Sequence, residues 1–262
     1  MSSAPPLFNR ILLTNDDGID APGLAVLERV ARTLAREVWT VAPVSDQSGT
    51  SHSLSLHEPL RVVAAGERRF AVRGTPGDSV AVALGSLMQE ARPELVLSGI
   101  NRGANLGTET VFSGTVGAAM TSMLIGVPAI ALSQAFANRN AVPWDTAGEH
   151  AAGVIRQLVA AGWDADACLN VNFPPVAASE VGTLKVTTQG RGLLGGVEIV
   201  SRTDPREHGY HWLKLARGPR DDAPDSETLS LRAGHITVTP LKFERTHDAA
   251  RERLAAKLKL AG

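Results

Sequence analysis

The residues from Ile11 to Leu24, ILLTNDDGIDAPGL, constrain the fold more than any other stretch of the chain. Their aliphatic run, Ile11–Leu13, is typical of a strand that is buried on both faces, as strands of a parallel sheet are. The run ends at a polar turn that contains Gly18, and apolar residues recur at helical spacing from Leu24 onwards. A buried strand that leads through a polar turn into a helix indicates an α/β fold.

The same alternation continues through the first two thirds of the chain, which predicts a mainly parallel sheet covered by helices. Thr75 is a plausible N-cap with Pro76 at the first helical position. Further strands are predicted at Glu37–Ala42, Leu54–Ala64, Arg69–Arg73, Glu94–Ser98, Pro128–Ser133 and Ala167–Asn172. Helices are predicted from Leu24, from Gly74 to Leu87, and at Ser113–Gly126 and Trp144–Ala161.

The pattern changes at Gly182, where short strands separated by turns replace the crossovers. They are predicted at Thr183–Thr188, Gly196–Arg202, Gly209–Ala216 and His235–Pro240, outside the main sheet. We therefore expect a catalytic core over residues 1–181, a β-rich extension over 182–247 that serves as a lid or an oligomerisation arm, and a C-terminal helix within 248–262.

Charge and cysteine content exclude several classes of protein. The formal net charge of -1 over 262 residues favours neither a nucleic-acid polymer nor an acidic membrane as partner. The single cysteine, Cys168, rules out an intrachain disulfide framework. The uncharged run between Glu109 and Arg139 is too rich in glycine, serine and threonine for a membrane span, and no secretory signal is evident. We expect a soluble cytoplasmic protein.

Four polar loops follow the end of a predicted strand or lie close to one, and the carboxyl ends of parallel strands meet at one edge of a sheet. They are Asn15–Asp17, Ser45–Ser53, Ser98–Asn101 and Ser113–Thr115. Adjacent carboxylates such as Asp16 and Asp17 repel each other unless a cation joins them, and a hard divalent ion takes carboxylate, hydroxyl and amide oxygens. The alternative for Asp16-Asp17 is a solvated turn.

The start of the helix at Ser113-Gly114-Thr115 offers N–H groups and hydroxyls to an anion, although either hydroxyl could simply cap the helix. A cation beside an anion site indicates metal-assisted hydrolysis or transfer of a phosphoryl group. The chain has no Walker A motif and no nucleophile-elbow motif, and no GxGxxG dinucleotide-binding motif follows its first strand. A non-catalytic phosphate or nucleotide sensor and a phosphoryl transferase remain as alternatives.

Six motifs resemble those of the SurE (survival protein E) family of metal-dependent 5′/3′-nucleotidases. They are ILLTNDDGIDAPG at 11–23, SGTSHSL at 48–54, GTPGDSV at 74–80, LSGINRGANLG at 97–107, SGTVGAAM at 113–120 and NVNFP at 170–174. The resemblance extends from about residue 10 to residue 242. It implies a Rossmann-like three-layer α/β/α fold with a C-terminal β-rich extension, parts of which family members exchange between subunits to form homodimers or homotetramers.

The resemblance also implies the site residues. The family's metal ligands fall on Asp16, Asp17, Ser48 and Asn101, and its phosphate-contacting residues on Asn15, Gly49, Ser113, Gly114 and Thr115. It implies one divalent cation per subunit, Mg²⁺ or Mn²⁺ or another divalent ion. The implied substrates are nucleoside 5′- and 3′-monophosphates and, for some members, short polyphosphate.

Several roles stay open at this stage. Asp16 or Asp17 could accept the proton of the attacking water, and His52 or His235 could act as general acid. The chain departs from the usual family pattern at Phe112, where a tyrosine is common, and at Thr121-Ser122. These departures bear on substrate preference and touch none of the implied metal ligands.

Overall fold

A computed structural model describes residues 5–218 and 222–258. Strands and helices alternate in its first two thirds as predicted. In chain order they are β1 (Phe8–Thr14), α1 (Pro22–Ala31), β2 (Ala35–Pro43), β3 (Arg61–Gly66), β4 (Arg69–Arg73), α2 (Pro76–Val82), β5 (Leu95–Arg102), α3 (Gly114–Leu124), β6 (Ala129–Gln134), α4 (Trp144–Ala161) and β7 (Cys168–Phe173). A π-helical turn, Ala83–Leu87, continues α2, and a 3₁₀ turn, Gly107–Phe112, precedes α3.

The later described elements are β8 (Leu184–Val186), β9 (Leu194–Thr203), β10 (Gly209–Arg217), α5 (Glu227–Arg232), β11 (Ile236–Leu241) and α6 (Asp248–Leu258), with a 3₁₀ turn at Ala178–Glu180. The predicted C-terminal helix is thus present as α6, and the rest of its predicted range, residues 259–262, lies outside the described residues. None of the described helices is both long enough and apolar enough to cross a membrane.

A nine-stranded sheet with the order β3-β4-β2-β1-β5-β6-β7-β11-β8 forms the middle layer. The strands from β4 to β7 in this order are parallel, whereas β3 and β11 pair antiparallel to their neighbours β4 and β7. Parallel strands need helical crossovers, and the helices supply the outer layers. The predicted three-layer α/β/α fold is confirmed.

The run Ile11–Leu13 shows how the sequence builds these layers. Successive side chains of a strand point to opposite faces. Ile11 and Leu13 accordingly pack in one buried cluster with α1 and α4, and Leu12 packs in the other with α2 and α3. Both faces of β1 are therefore covered, which is why its aliphatic run is uninterrupted.

Two expectations about strands were wrong. The strand expected from Leu54 begins only at Arg61, because the N–H of Ser55 donates to the Asp78 carboxylate and Pro59 has no N–H to give. Of the four strands expected outside the main sheet, β8 and β11 belong to it. Only β9 and β10 form a separate two-stranded hairpin. Alternation of apolar residues indicates a strand but does not specify its partner.

Candidate functional site

The loops predicted to converge meet around Asp16. Thr14, the last residue of β1, pairs with Ser98 of β5. The loop predicted at Ser98–Asn101 was wrong, since β5 continues through it to Arg102, beside the turn that follows β1. The backbone N–H of Gln47, in the loop after β2, donates to the Asp16 carbonyl at 2.7 Å. The start of α3 completes the site, since the Thr115 hydroxyl donates to Asp16 Oδ1 at 2.5 Å.

Asp16 is the most enclosed group of the site. Its side chain is buried, and a Cβ added to Gly114 would lie 2.7 Å from Asp16 Cβ and 3.0 Å from Oδ2. The first residue of α3 therefore packs directly against this carboxylate, and only glycine leaves room for it. Burial raises the pKa of Asp16 from 3.8 to about 6; the bond from Thr115 opposes this shift and the charge of Asp17 adds to it.

Asp17 is held from β5. Its Oδ2 accepts the backbone N–H of Arg102 at 3.0 Å. Burial raises the pKa of Asp17, while the bond and the charge of Arg102 and the charge of Arg139 oppose the rise. Both arginine residues are exposed, so the site combines two partly desolvated carboxylates with cationic groups at its border.

Of the other two predicted metal ligands, Asn101 lies near the end of β5 and Ser48 lies in the loop after β2. Asn101 donates from Nδ2 to the Gly103 carbonyl at 2.8 Å, which engages its nitrogen and leaves its amide oxygen for another partner. Ser48 is exposed, and its backbone N–H donates to Asp46 Oδ1 at 2.8 Å.

The predicted phosphate-contacting residues have structural partners of their own. Asn15 closes the turn after β1, donating to the Gly18 carbonyl and accepting the Gly18 N–H. The Ser113 hydroxyl accepts the Val116 N–H and so caps α3, which was the alternative reading of this residue. A serine hydroxyl can also donate its own proton, and no described residue accepts it. Gly49 has a φ of 85° and faces open space.

The donor set fits a hard divalent cation. Asp16, Asp17 and Asn101 offer oxygen ligands, and the buried hydroxyls of Thr14 and Ser98 beneath them have no hydrogen-bond partner among the described residues. Across residues 5–218 and 222–258, no group of three or more His, Cys, Asp or Glu side chains could hold a metal. Mg²⁺-class ions are commonly bound by one or two carboxylates, water and substrate phosphate, as this set allows.

The structure brings neither histidine into hydrogen-bond contact with Asp16 or Asp17. His52 contacts Ser51 Oγ at 3.0 Å and Met120 Sδ at 3.2 Å, and burial lowers the pKa of its ring, with a smaller effect from Arg245. His235 contacts Thr183 Oγ1 at 3.3 Å, just before β11. In the sheet, β11 lies four strand spacings from β1, about 19 Å, so His235 is far from the carboxylates that follow β1.

A cavity of about 380 Å³ opens at the same edge of the sheet, beyond β2. Gln47 lies in its wall and also contacts Asp16 through its backbone. The cavity is of the size that binds small molecules. Its lining residues are Val44, Gln47, Ser55, Glu58, Pro59, Leu60, Arg73 and Gly74.

Sequence reasoning did not single out three charged residues at the site. The charge of Asp46 raises the pKa of both Asp16 and Asp17, and Arg102 and Arg139 act on Asp17 as described. Asp46 lies in the polar loop Ser45–Ser53 and Arg102 lies in the motif LSGINRGANLG. Their charge, next to the predicted site, could have identified both. Arg139 follows β6 by a loop whose path the sequence does not specify.

Fold and site together define a class of protein: a Rossmann-like α/β protein with paired carboxylates and a helix start at the carboxyl edge of its parallel sheet. The family model described as survival protein SurE matches residues 11–195. The chain belongs to the SurE family.

Relatives along the whole chain agree with this. The chain is 73% identical over 258 residues to 5'-nucleotidase SurE 1 of Burkholderia lata, covering 98% of this chain and 100% of that protein. It is 48% identical over 244 residues to 5'-nucleotidase SurE of Paramagnetospirillum magneticum, covering 93% and 94%. The crystal structure of the SurE protein from Aquifex aeolicus is similar with a TM-score of 0.80 at 31% identity, covering 94% of this chain and 98% of that one.

Proposed function

We propose that this protein is a divalent-metal-dependent 5′-nucleotidase, which hydrolyses nucleoside 5′-monophosphates to nucleoside and phosphate. The observation that carries the proposal is the buried carboxylate of Asp16, set against the start of α3 and next to the half-buried carboxylate of Asp17. Relatives named 5'-nucleotidase, one of them 73% identical over 98% of the chain, support the nucleotide as substrate.

In this proposal Asp16, Asp17, Asn101 and Ser48 hold one cation, Mg²⁺ or Mn²⁺. When bound, such an ion lowers the pKa of water and offsets charge that develops on the phosphoryl oxygens. Thr115 orients Asp16 through its hydroxyl, and the Arg102 backbone orients Asp17. These bonds keep the carboxylates in place before the substrate arrives.

The phosphate lies against the first turn of α3. The free N–H groups of a helix start and the helix dipole favour an anion there, and the Ser113 hydroxyl can donate its proton to a phosphate oxygen. Gly49 lines the opposite loop without a side chain that would exclude the phosphate. Asp16 or Asp17 accepts the proton of the attacking water.

The cavity beyond β2 is the part of the surface that suits the nucleoside. Its wall includes Val44 after β2 and Arg73 at the end of β4, which are one and two strand spacings from β1, or about 5 and 10 Å. Gln47, Glu58 and Arg73 supply both donors and acceptors. Nucleoside 3′-monophosphates and short polyphosphate are further substrates in this proposal, and the assembly is a homodimer or homotetramer.

The test is phosphate release from a panel of nucleoside 5′- and 3′-monophosphates and short polyphosphate, with Mg²⁺, Mn²⁺ or chelator. Wild type is compared with Asp16→Asn and with Asp20→Asn, a control in the same loop whose exposed carboxylate pairs with Arg69. Release that needs metal, is lost in Asp16→Asn and persists in Asp20→Asn supports the proposal. Nucleotide binding without release under any metal would favour the sensor, and transfer to an added alcohol in preference to water would favour the transferase.

A further inference from the structure

The 3₁₀ turn Gly107–Phe112 determines where α3 begins. The N–H of Ser113, the N-cap residue of α3, donates to the Thr110 carbonyl at 3.1 Å. Any displacement of the turn therefore moves Ser113, and with it the helix start that faces Asp16. Before the turn, the N–H of Asn105 donates to the Asn172 side chain at 2.8 Å, which ties the preceding loop to β7.

Glu227, the first residue of α5, joins this turn to a segment far away in sequence. Its Oε1 accepts the Gly107 N–H at 2.5 Å and its Oε2 accepts the Gly190 N–H at 2.7 Å. The side chain is buried, with 1% of the residue exposed. One buried carboxylate thus satisfies two backbone donors that would otherwise be left without partners.

Gln189 holds the same turn from the other side. Its Nε2 donates to the Gly107 carbonyl and to Thr110 Oγ1, both at 2.9 Å. Both polar groups of the Gly107 backbone are therefore hydrogen-bonded, the N–H to Glu227 and the carbonyl to Gln189. Within the turn, Glu109 accepts the Leu193 N–H and the Arg217 guanidinium, at the base of the β9–β10 hairpin.

We propose that Gln189 and Glu227 are positioning residues for the anion-binding start of α3. They act through Gly107 and Thr110, so they set the place of Ser113 without touching the substrate. The proposed metal ligands Asp16 and Asp17 follow β1 and Asn101 lies in β5, and none of them takes part in these bonds. The inference rests on the proposed function, since it assigns the phosphate to the same helix start.

The test compares Gln189→Met and Glu227→Gln with wild type. Gln189→Met keeps the length of the side chain and removes both donated bonds; Glu227→Gln replaces one acceptor with a donor that faces an N–H. Ser122→Ala is the control, because it removes one buried hydrogen bond, to the Val127 carbonyl, at the opposite end of α3. The measurements are KM for a nucleoside 5′-monophosphate, Ki and calorimetric Kd for inorganic phosphate, and Kd for Mn²⁺.

We expect KM, Ki and the phosphate Kd to rise about tenfold in both variants. A change of this size corresponds to the loss of roughly one hydrogen bond or a little more. The Mn²⁺ Kd should stay near the wild-type value, and Ser122→Ala should change none of these constants. Wild-type phosphate constants in Gln189→Met, or an equal rise in Ser122→Ala, would overturn the inference. Should Glu227→Gln fail to fold, Gln189→Met alone decides.

The two proposals fail separately. If wild type releases no phosphate from any nucleotide, the proposed function is lost, whereas weaker phosphate binding in Gln189→Met would still support the positioning role. If wild type is an active nucleotidase and Gln189→Met binds phosphate as tightly, only the positioning role is lost.

Discussion

Asp16 and Asp17 are neighbours in sequence, yet different parts of the fold hold them. Asp16 is bonded by a side chain of α3, and Asp17 by the backbone of β5. Removing either carboxylate from water is costly, and burial raises the pKa of both. In the metal-free protein, the residues that suit a cation therefore oppose folding at neutral pH.

The stability of the metal-free protein should show this cost as a dependence on pH. Below pH 3.8, Asp16 is protonated in the folded and the unfolded state and contributes nothing; as pH rises through about 6, the unfolded state loses the proton first and stability falls. This pKa difference corresponds to at most roughly 3 kcal/mol. Asp16→Asn should therefore be more stable than wild type at pH 8 in chelator, and equal to it near pH 4.

Denaturant unfolding at several pH values in EDTA measures this difference, with Asp20→Asn as the control that should follow wild type. An Asp16→Asn variant less stable than wild type at pH 8 would contradict the assigned cost of burying the carboxylate. Added Mn²⁺ should stabilise wild type and leave Asp16→Asn unchanged.

Thr115 should matter for metal affinity although it is not a predicted ligand. Thr115→Val removes the hydroxyl bonded to Asp16, which raises the pKa of that carboxylate further and loosens its orientation. We expect the Mn²⁺ Kd to rise about 10- to 100-fold, as for other residues that orient a metal ligand. Thr115→Ser keeps the hydroxyl and should bind Mn²⁺ like wild type; equal affinity in the valine and serine variants would refute this role.

At the scale of elements, helix starts connect the loops of the site. Thr75 caps α2: its hydroxyl accepts the Asp78 N–H at 3.1 Å and donates to the Ser53 carbonyl at 2.6 Å. The Asp78 carboxylate in turn accepts hydrogen bonds from the Thr75 N–H and from the N–H and the hydroxyl of Ser55. The loop after β2 is thus attached to the start of α2, as it is to Asp16.

Loss of this cap should destabilise the protein and spare its metal site. Thr75→Ala removes both bonds of the hydroxyl and should lower the free energy of unfolding by about 1–2 kcal/mol. Thr75→Ser retains the hydroxyl and should lose much less, with the Mn²⁺ Kd of both variants near wild type. Equal unfolding midpoints in denaturant for the alanine variant and wild type would show that the cap contributes little.

At the scale of the molecule, the β9–β10 hairpin lies outside the sheet with an apolar face. Val197 pairs with Leu215 and Ile199 with Leu213, and all four side chains are exposed. A two-stranded hairpin is marginal alone, and an exposed apolar patch commonly marks an interface. The described residues of α6 are also unburied. The homodimer or homotetramer implied by the family resemblance would cover such surfaces, and it remains a prediction.

Light scattering coupled to gel filtration tests the assembly. Wild type should have the mass of a dimer or a tetramer, and the double variant Ile199→Lys/Leu213→Lys should give a smaller species, because charge on the apolar face opposes its burial. Glu198→Lys, on the opposite face of β9, is the control and should keep the wild-type mass. A monomeric wild type would contradict the predicted assembly.

Features that depend on residues close in sequence could be predicted, whereas contacts between residues far apart in sequence could not. The strand Ile11–Leu13, the cap at Thr75 and the helix from Gly114 follow from side-chain period and capping chemistry, which act within a few residues. The carboxyl edge of the sheet could be predicted too, because parallel strands place their ends together. Hence Asp16, Asp17, Asn101 and Thr115 could be chosen before their contacts were known.

Other features depend on partners that no local pattern names. Alternating residues marked β8 and β11 as strands, but their place in the main sheet is a matter of pairing. The Thr115–Asp16 bond spans 99 positions and the Glu227–Gly107 bond 120. The sequence by itself determined the elements and the residue types at the carboxyl edge. Only the tertiary structure decided which groups meet there, because contacts between distant residues depend on how whole elements pack.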